Sequence, residues 1–347
     1  MTSMMQRDAL DAASCVALQM ASDASLYQAL GRTLRAGSWS SVLTLARGSS
    51  DHAASYCAHL IMTQLGRVVA SLPPSLLTLY QAPLASETTL AIAVSQSGQS
   101  PDLVQALRYF RVGKGSLSIA LVNHSSSPLA QAAQWVLPLH AGVEHSVCAT
   151  KSFITSLVAG ARLVAHWQNP GKLQSQADAL LARLPEALLA AAQVDWSAAI
   201  DVLAPASACK MMVVGRGASL PLAQEAALKL KECCHLQAEA LSGAEILHGP
   251  VALIEAGYPL LIFATRGPAQ ASLLALARNM RQRGARVLLA APCDVIERDL
   301  DLPTGPSFQL DAITAVQAFY MMAARLAQER GCDPDHPRHL SKVTRTY

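Results

Sequence analysis

Residues 42–61 read VLTLARGSSDHAASYCAHLI, and residues 211–230 read MMVVGRGASLPLAQEAALKL. Each stretch is a short apolar run that breaks at an Arg-Gly turn and continues with helical periodicity, the pattern of a strand feeding a helix. Laid over one another they match Arg47-Gly48 with Arg216-Gly217, and the same offset sets Gly98 on Gly267 and Gly115 on Gly284. In a chain with 19 glycines, three in register, each just after a strand or just before one, indicate an internal repeat. Further strand signals stand at Leu90 to Val94, Leu117 to Val122, Leu260 to Phe263 and Val287 to Ala290. Strands alternating with helices imply right-handed crossovers and a sheet covered on both faces. The fold class expected is α/β: two tandem units, each a doubly wound, mostly parallel sheet flanked by helices.

A length of 347 residues fits about two domains of ~150 residues. With 52% hydrophobic and 15% charged residues the chain has material for buried cores and too little charge for disorder. The sparse aromatics, 5%, fit helices packed on a parallel sheet. The formal charge of +3 is scattered, which excludes the basic stripe of a nucleic-acid binder and leaves a small anionic ligand open. Arg7, Asp8 and Asp11 interrupt the start of the chain where a signal peptide needs its apolar stretch, and no segment reaches ~18 uninterrupted apolar residues. A cytoplasmic protein with no membrane partner is expected. The eight cysteines lack C-x-x-C spacing and read as reduced, mostly buried thiols. Cys233, Cys234, His235 and His248 do not make a metal set, because adjacent cysteines on a helix point in different directions.

Four segments could carry chemistry. In Ser95-Gln96-Ser97-Gly98-Gln99-Ser100-Pro101-Asp102 a strand ends in a hydroxyl-rich turn and opens into a helix, where backbone N–H groups and the helix dipole converge on an anion. The same residues also read as a plain helix start, with Ser100 as N-cap and Pro101 at N1. Three hydroxyls are more than one cap uses. A second such turn, Gly48-Ser49-Ser50-Asp51-His52, ends an earlier strand, and two turns at a topological switch point can share one anion. Neither has the glycine spacing of a nucleotide loop, which disfavours ATP and NAD. Glu225, Lys229 and Glu232 share one helix face, either as a solvated stripe or as a general base, Glu232, beside a lysine that tunes it. His248, before Gly249-Pro250, stands at an expected helix end, as a dipole partner or as a proton exchanger near neutral pH.

Taken together, RGSSDHA, SQSGQSPD, SVCATKSF, GRGASLPLAQEAALKLKE, AEALSGAEILHGP and the closing HLSKVT resemble the tandem sugar-isomerase (SIS) proteins related to the isomerase half of glucosamine-6-phosphate synthase. The resemblance implies a sugar phosphate held by Ser50, Ser95, Gln96, Ser97 and Ser100, with Val147, Cys148 and Thr150 lining the sugar site. It places proton transfer between C1 and C2 on Glu232, ring opening on His248, the sugar carbonyl beside the tail's Lys342, and Lys229 at the same site. It further implies a homodimer with sites near the subunit interface, and no cofactor. The units are expected at 1–194, with an N-terminal helix, and at 195–335, followed by a tail, 336–347, docked on the active site.

Gln99, Ala149 and Ser341 depart from the family's frequent residues. The synthase's N-terminal glutaminase domain has no counterpart here, and Cys15 sits inside a helical pattern, so synthesis from glutamine is not expected. The compact form with its KVTRT-like tail looks closest to the SIS-type glucosamine-6-phosphate deaminases. The activity expected is conversion of D-glucosamine 6-phosphate and water to D-fructose 6-phosphate and ammonia. The alternatives are another phosphosugar reaction, of galactosamine-6-phosphate, fructosamine-6-phosphate or simple aldose–ketose type, and a non-catalytic sugar-phosphate sensor.

Overall fold

The structure, a computed structural model, describes residues 2–168 and 170–342. The first sheet is built from β1 (Ser41–Leu45), β2 (Val69–Ser71), β3 (Thr89–Ser95), β4 (Leu117–Val122) and β5 (Trp135–Pro138) in the order β2-β1-β3-β4-β5. The second is built from β6 (Lys210–Gly215), β7 (Gln237–Ser242), β8 (Pro259–Phe263), β9 (Arg286–Ala291) and β10 (Leu300–Asp301) in the order β7-β6-β8-β9-β10. Strand for strand the two orders are the same, and every neighbouring pair is parallel. The repeat read from three glycines is therefore a repeat of topology. The helices are α1 (Met4–Ala21), α2 (Ala24–Ala36), α3 (Ser49–Leu65), α4 (Ser75–Thr78), α5 (Pro101–Arg111), α6 (Pro128–Ala132), α7 (Lys151–Trp167), α8 (Lys172–Leu181), α9 (Leu184–Ala191), α10 (Ser197–Leu203), α11 (Ser219–Cys234), α12 (Gln270–Gln282) and α13 (Asp311–Glu329).

The chain divides into two compact units. One, around the first sheet, comprises Ser14–Glu144, Lys151–Ala182 and the tail from Ser341; the other, around the second, comprises the chain up to Ala13, His145–Thr150 and Arg183–Leu340. Where the sequence reading sets one boundary at 194/195, the contacts change at Ala182/Arg183 and assign the start of α1 and the segment 145–150 to the second sheet. The last five residues, which complete the KVTRT-like tail, lie outside the described ones.

In the first unit Ala91, Ala93, Ala120 and Val122 turn one way, against Leu103, Leu107 and Phe110 of α5 and Leu129 of α6. The alternate residues of β3 and β4 are also buried, on the face that α3 and α7 cover. A sheet buried on both faces needs near-continuous apolar strands, which is what β3 and β4 are. Helix α7 is buried along its whole length, with Arg162 stacked over the Tyr27 ring at 4.2 Å. In the second unit Met212, Val214, Leu260, Ile262 and Leu289 face Leu273, Ala277 and Met280 of α12, while α11 and α13 pack on one another and α11 lies on β6, β7 and β8.

Three sequence expectations need correction. The segment before Gly249 is not an α-helix: β7 runs to Ser242 and a single 3-10 turn, Glu245–Leu247, leads to His248. Of the eight cysteines only Cys57, Cys148, Cys233 and Cys234 are buried, while Cys209 and Cys293 are exposed. The strands β2, β5, β7 and β10 carried no sequence signal. Among the described residues no helix is long and apolar enough to cross a membrane.

Phe110 is fully buried where α5 meets the first sheet. Phe110→Ala is expected to lower the unfolding free energy by about 3–5 kcal/mol, read from urea denaturation. A loss below about 1 kcal/mol would place the core elsewhere.

Candidate active site

The strand β1 ends at Leu45 and α3 starts at Ser49, so the chain must turn within Ala46-Arg47-Gly48. Gly48 makes this possible with φ 54° and ψ −135°, a conformation open in practice to glycine alone. The turn after β3 pivots on Gly98, φ 62°, where an added Cβ would lie 2.1 Å from the Ser127 hydroxyl oxygen. These two turns bring together residues the sequence had singled out separately. Ser50, Ser95, Gln96, Ser97 and Ser100 line one cavity of about 350 Å³, joined there by Arg47 and Lys342.

The hydroxyls in that cavity make local turn bonds. Ser95 Oγ accepts from the Gly98 N–H at 3.0 Å and Ser97 Oγ from the Gln99 N–H at 3.2 Å, which shapes the turn. Ser100 occupies the N-cap position of α5, yet its side chain makes no capping bond. Arg47 was missed by the sequence reading. Its guanidinium grips Asp102 Oδ2 through Nε at 3.1 Å and Nη2 at 2.9 Å, and Asp102 Oδ1 accepts from the Leu103 N–H at 2.8 Å. Asp102, in the first turn of α5, is therefore what aims the arginine. The recurrence of Arg-Gly in both halves was the available signal.

A larger cavity of about 760 Å³ shares Gln96, Ser97 and Lys342 with the first and adds Gln99, His124 and Glu144. Glu144, whose side chain is wholly buried, accepts from the Ser152 N–H at 3.3 Å and from the Ser152 hydroxyl, and Lys342 Nζ lies 3.5 Å from its Oε2. The tail lysine thus reaches the hydroxyl-lined pocket beside a carboxylate held by the start of α7. No sequence pattern pointed to Glu144.

The other expected residues belong to the second unit. The segment 145–150 is fastened to α1 by Asp8, whose Oδ2 accepts from the His145 and Ser146 N–H groups at 2.7 and 2.8 Å. Val147 is half-buried, whereas Cys148 and Thr150 are buried. Cys148 Sγ lies 3.3 Å from Cys233 Sγ on α11. The hydrogen bond it shares with Cys233, together with burial, pushes the Cys148 thiol far up against the pull of Lys229, so it stays neutral.

Glu225, Lys229 and Glu232 do share a face of α11, and that face is interior: Glu225 and Lys229 are 0% and 1% exposed, Glu232 20%. The solvated-stripe reading is excluded. Lys229 Nζ lies 3.5 Å from Glu225 Oε1 and forms a closer ion pair with Glu232, while Tyr320 of α13 donates to Glu225 Oε1 at 3.0 Å. Burial alone would push the ammonium down, but the two carboxylates outweigh it and hold Lys229 well above the ordinary lysine value. The lysine is a fixed cation. His248 is exposed, with its N–H bonded to Glu245 O at 2.9 Å, and makes no hydrogen bond or ion pair with Lys229 or Glu232 among the described residues.

The SIS-domain family profile matches residues 38–165 and 206–325, one match per sheet. This chain belongs to the SIS-domain family. Among similar curated proteins, the glutamine–fructose-6-phosphate aminotransferase (isomerizing) of Aeropyrum pernix is 33% identical over 334 residues, 92% of this chain and 53% of the relative. That of Symbiobacterium thermophilum is 36% identical over 278 residues, 76% and 45% of the two chains. The SIS chain here spans about half the length of the curated relatives it matches. A crystal structure from Silicibacter pomeroyi DSS-3, provisionally named a phosphosugar isomerase, superposes with a TM-score of 0.88 at 38% identity, covering 96% of this chain and 100% of that one. The glucosamine-6-phosphate deaminase of Thermotoga maritima, 19% identical with a TM-score of 0.76 over 99% and 100% of the two chains, shares the fold.

Each SIS unit yields a prediction. Arg47→Gln removes one of the two cations lining the pocket, and inorganic phosphate should bind about tenfold more weakly by calorimetry; unchanged binding would remove Arg47 from the anion site. The folded value of Lys229 lies above the 10.5 of free lysine, so its ion pairs stabilise the fold fully below about pH 10.5 and are lost as pH rises through the folded value. Urea midpoints of the wild type relative to Glu225→Gln/Lys229→Met should therefore differ by a constant amount from about pH 7 to 9. A difference that shrinks across that range would mean the lysine titrates there.

Proposed function

We propose that this SIS protein is a glucosamine-6-phosphate deaminase of the isomerising kind, converting D-glucosamine 6-phosphate and water to D-fructose 6-phosphate and ammonia. The observation that carries the reading is the cavity where Arg47, Ser50, Ser95, Gln96, Ser97, Ser100 and Lys342 converge. Such a pocket meets a phosphate monoester with hydroxyl donors and two cations. The buried Glu225–Lys229–Glu232 cluster adds a carboxylate able to exchange a proton with carbon. A mere sensor of sugar phosphate has no use for it.

In the proposed sequence His248 takes the proton of the C1 hydroxyl and returns one to the ring oxygen, opening the hexose to its aldehyde. Glu232 removes the proton from C2, forming an enolamine, and delivers it to C1, which leaves an imine at C2. Water adds to that imine and ammonia departs, giving the ketose. Lys342, beside Glu144, stabilises negative charge on the C1 oxygen as the enolamine forms. Val147, Cys148 and Thr150 shape the sugar site, with Lys342 of the tail reaching it and a homodimer as the working assembly. The names of the relatives support phosphosugar isomerisation as the class. The deaminating outcome rests on the resemblance of the KVTRT segment that starts at Lys342 to the SIS-type glucosamine-6-phosphate deaminases.

The test is a coupled assay for ammonia and fructose 6-phosphate on glucosamine 6-phosphate, galactosamine 6-phosphate and a fructosamine 6-phosphate. Glucosamine 6-phosphate should release both products in equal amounts, and Glu232→Gln should lower turnover ~10²–10⁴-fold while phosphate still binds. Ammonia from galactosamine 6-phosphate alone would reassign the substrate, and thermal stabilisation by these sugars without turnover would make the chain a sensor.

A further inference from the structure

Glu225 takes no part in the proton transfers described, yet it is among the most deeply buried ionisable side chains of the second unit. It stands one helical turn before Lys229, 3.5 Å from the ammonium, and its Oε1 is held by the Tyr320 hydroxyl at 3.0 Å. Replacing a buried ion pair by apolar residues is often neutral or stabilising, so fold stability alone does not explain a second carboxylate in this position.

Charge supplies the explanation. With Glu232 ionised, the three groups sum to −1; with Glu232 protonated, they sum to zero. Without Glu225 the same protonation would take a buried pair from zero to +1. Low-dielectric surroundings favour the state of smaller net charge, so Glu225 makes the proton-bearing form of Glu232 easier to reach. A lysine alone beside Glu232 would have the opposite effect, stabilising its anion and weakening it as a base. Titratable groups facing the cluster include the Cys148 and Cys233 thiols, from the segment 145–150 and from α11, and the Tyr320 hydroxyl from α13. The buried thiol of Cys148 stays neutral at working pH and adds no charge.

Resting on the reading of Glu232 as the base, we infer that Glu225 is a positioning residue that sets the base strength of Glu232 by neutralising Lys229 from behind, with Tyr320 fixing its orientation. Removing its charge lowers the pH at which Glu232 titrates; keeping the charge at a shorter reach, as in Glu225→Asp, restores much of it.

The experiment measures Glu232 directly, in full-length protein with ¹³C-labelled glutamate carboxyls, the signal being assigned by its loss in Glu232→Gln. In Glu225→Gln the Glu232 midpoint should fall by about one pH unit, the acid limb of kcat should move down with it, and kcat should drop about tenfold with KM within about twofold. Glu225→Asp should recover most of both shifts. Should Glu225→Gln not fold, Glu225→Gln/Lys229→Met removes both charges, and the Glu232 midpoint there should lie at or above that of the wild type. A midpoint that stays or rises in Glu225→Gln, or falls in the double variant, overturns the inference. If no phosphosugar is turned over by the wild type, the proposed function fails, while the carboxyl titration still decides the role of Glu225.

Discussion

A parallel sheet ordered 2-1-3-4-5 has one seam where neighbouring strands send their following helices to opposite faces, and in the first sheet that seam lies between β1 and β3. Helix α3 leaves to the side of α7, and α5 to the side of α4 and α6. The loops that lead into them diverge, and the crevice left open is where Arg47–Ser50 and Ser95–Ser100 meet. The second sheet has the same seam between β6 and β8, and there the turns carry different side chains. Arg266 donates through Nε to the buried Asp311 at 2.9 Å, Gly267 packs under Phe308, and Ser219 bonds back to Arg216. One topology is used twice, and in the first unit it frames a hydroxyl-lined pocket, where the turns carry serines that the backbone leaves in part uncommitted.

The second unit spends its polar interior differently. It sets three charges along α11, two of them fully buried, a costly arrangement that the helix makes feasible because residues 225, 229 and 232 stack on one face. The alternating signs let each charge be desolvated beside its opposite. Tyr320, from the helix packed across it, supplies a hydrogen bond that water would otherwise give. The result is an ammonium whose charge is constant, held between a fully buried carboxylate and a partly accessible one.

How far the sequence could be read follows from burial. The six strands visible in it are the interior ones, whose two covered faces demand apolar runs such as Leu90 to Val94. The four that were missed, β2, β5, β7 and β10, are the edges of the two sheets, half-exposed and as short as two residues. An edge strand is stabilised by its neighbour's hydrogen bonds more than by its own side chains, so its composition carries little signal. The site divides in the same way. Ser50, Ser95, Ser97 and Ser100 lie in local turn motifs and were legible; Arg47, Glu144 and Tyr320 act through partners 55, 198 and 95 residues away, and no local pattern encodes those pairings. His248 was legible as a residue and misread as structure, because Gly-Pro ends a 3-10 turn as readily as a helix.

The pocket of the first unit holds two cations, and each is matched by a buried carboxylate: Arg47 by Asp102, Lys342 by Glu144. A phosphate entering there meets charges already compensated, and hydroxyls that donate without adding charge. Such a site grips the anion less tightly than two unpaired cations would. For the proposed reaction, in which substrate and product carry the same phosphate, this is the appropriate strength, since uniform binding of both ends of a reaction raises affinity without raising turnover and slows release of product. The carboxylates also hold the guanidinium and the ammonium at fixed places before any ligand arrives, so that selectivity comes from geometry set in advance and the strong electrostatic interactions remain available for charge that develops at the reacting carbons.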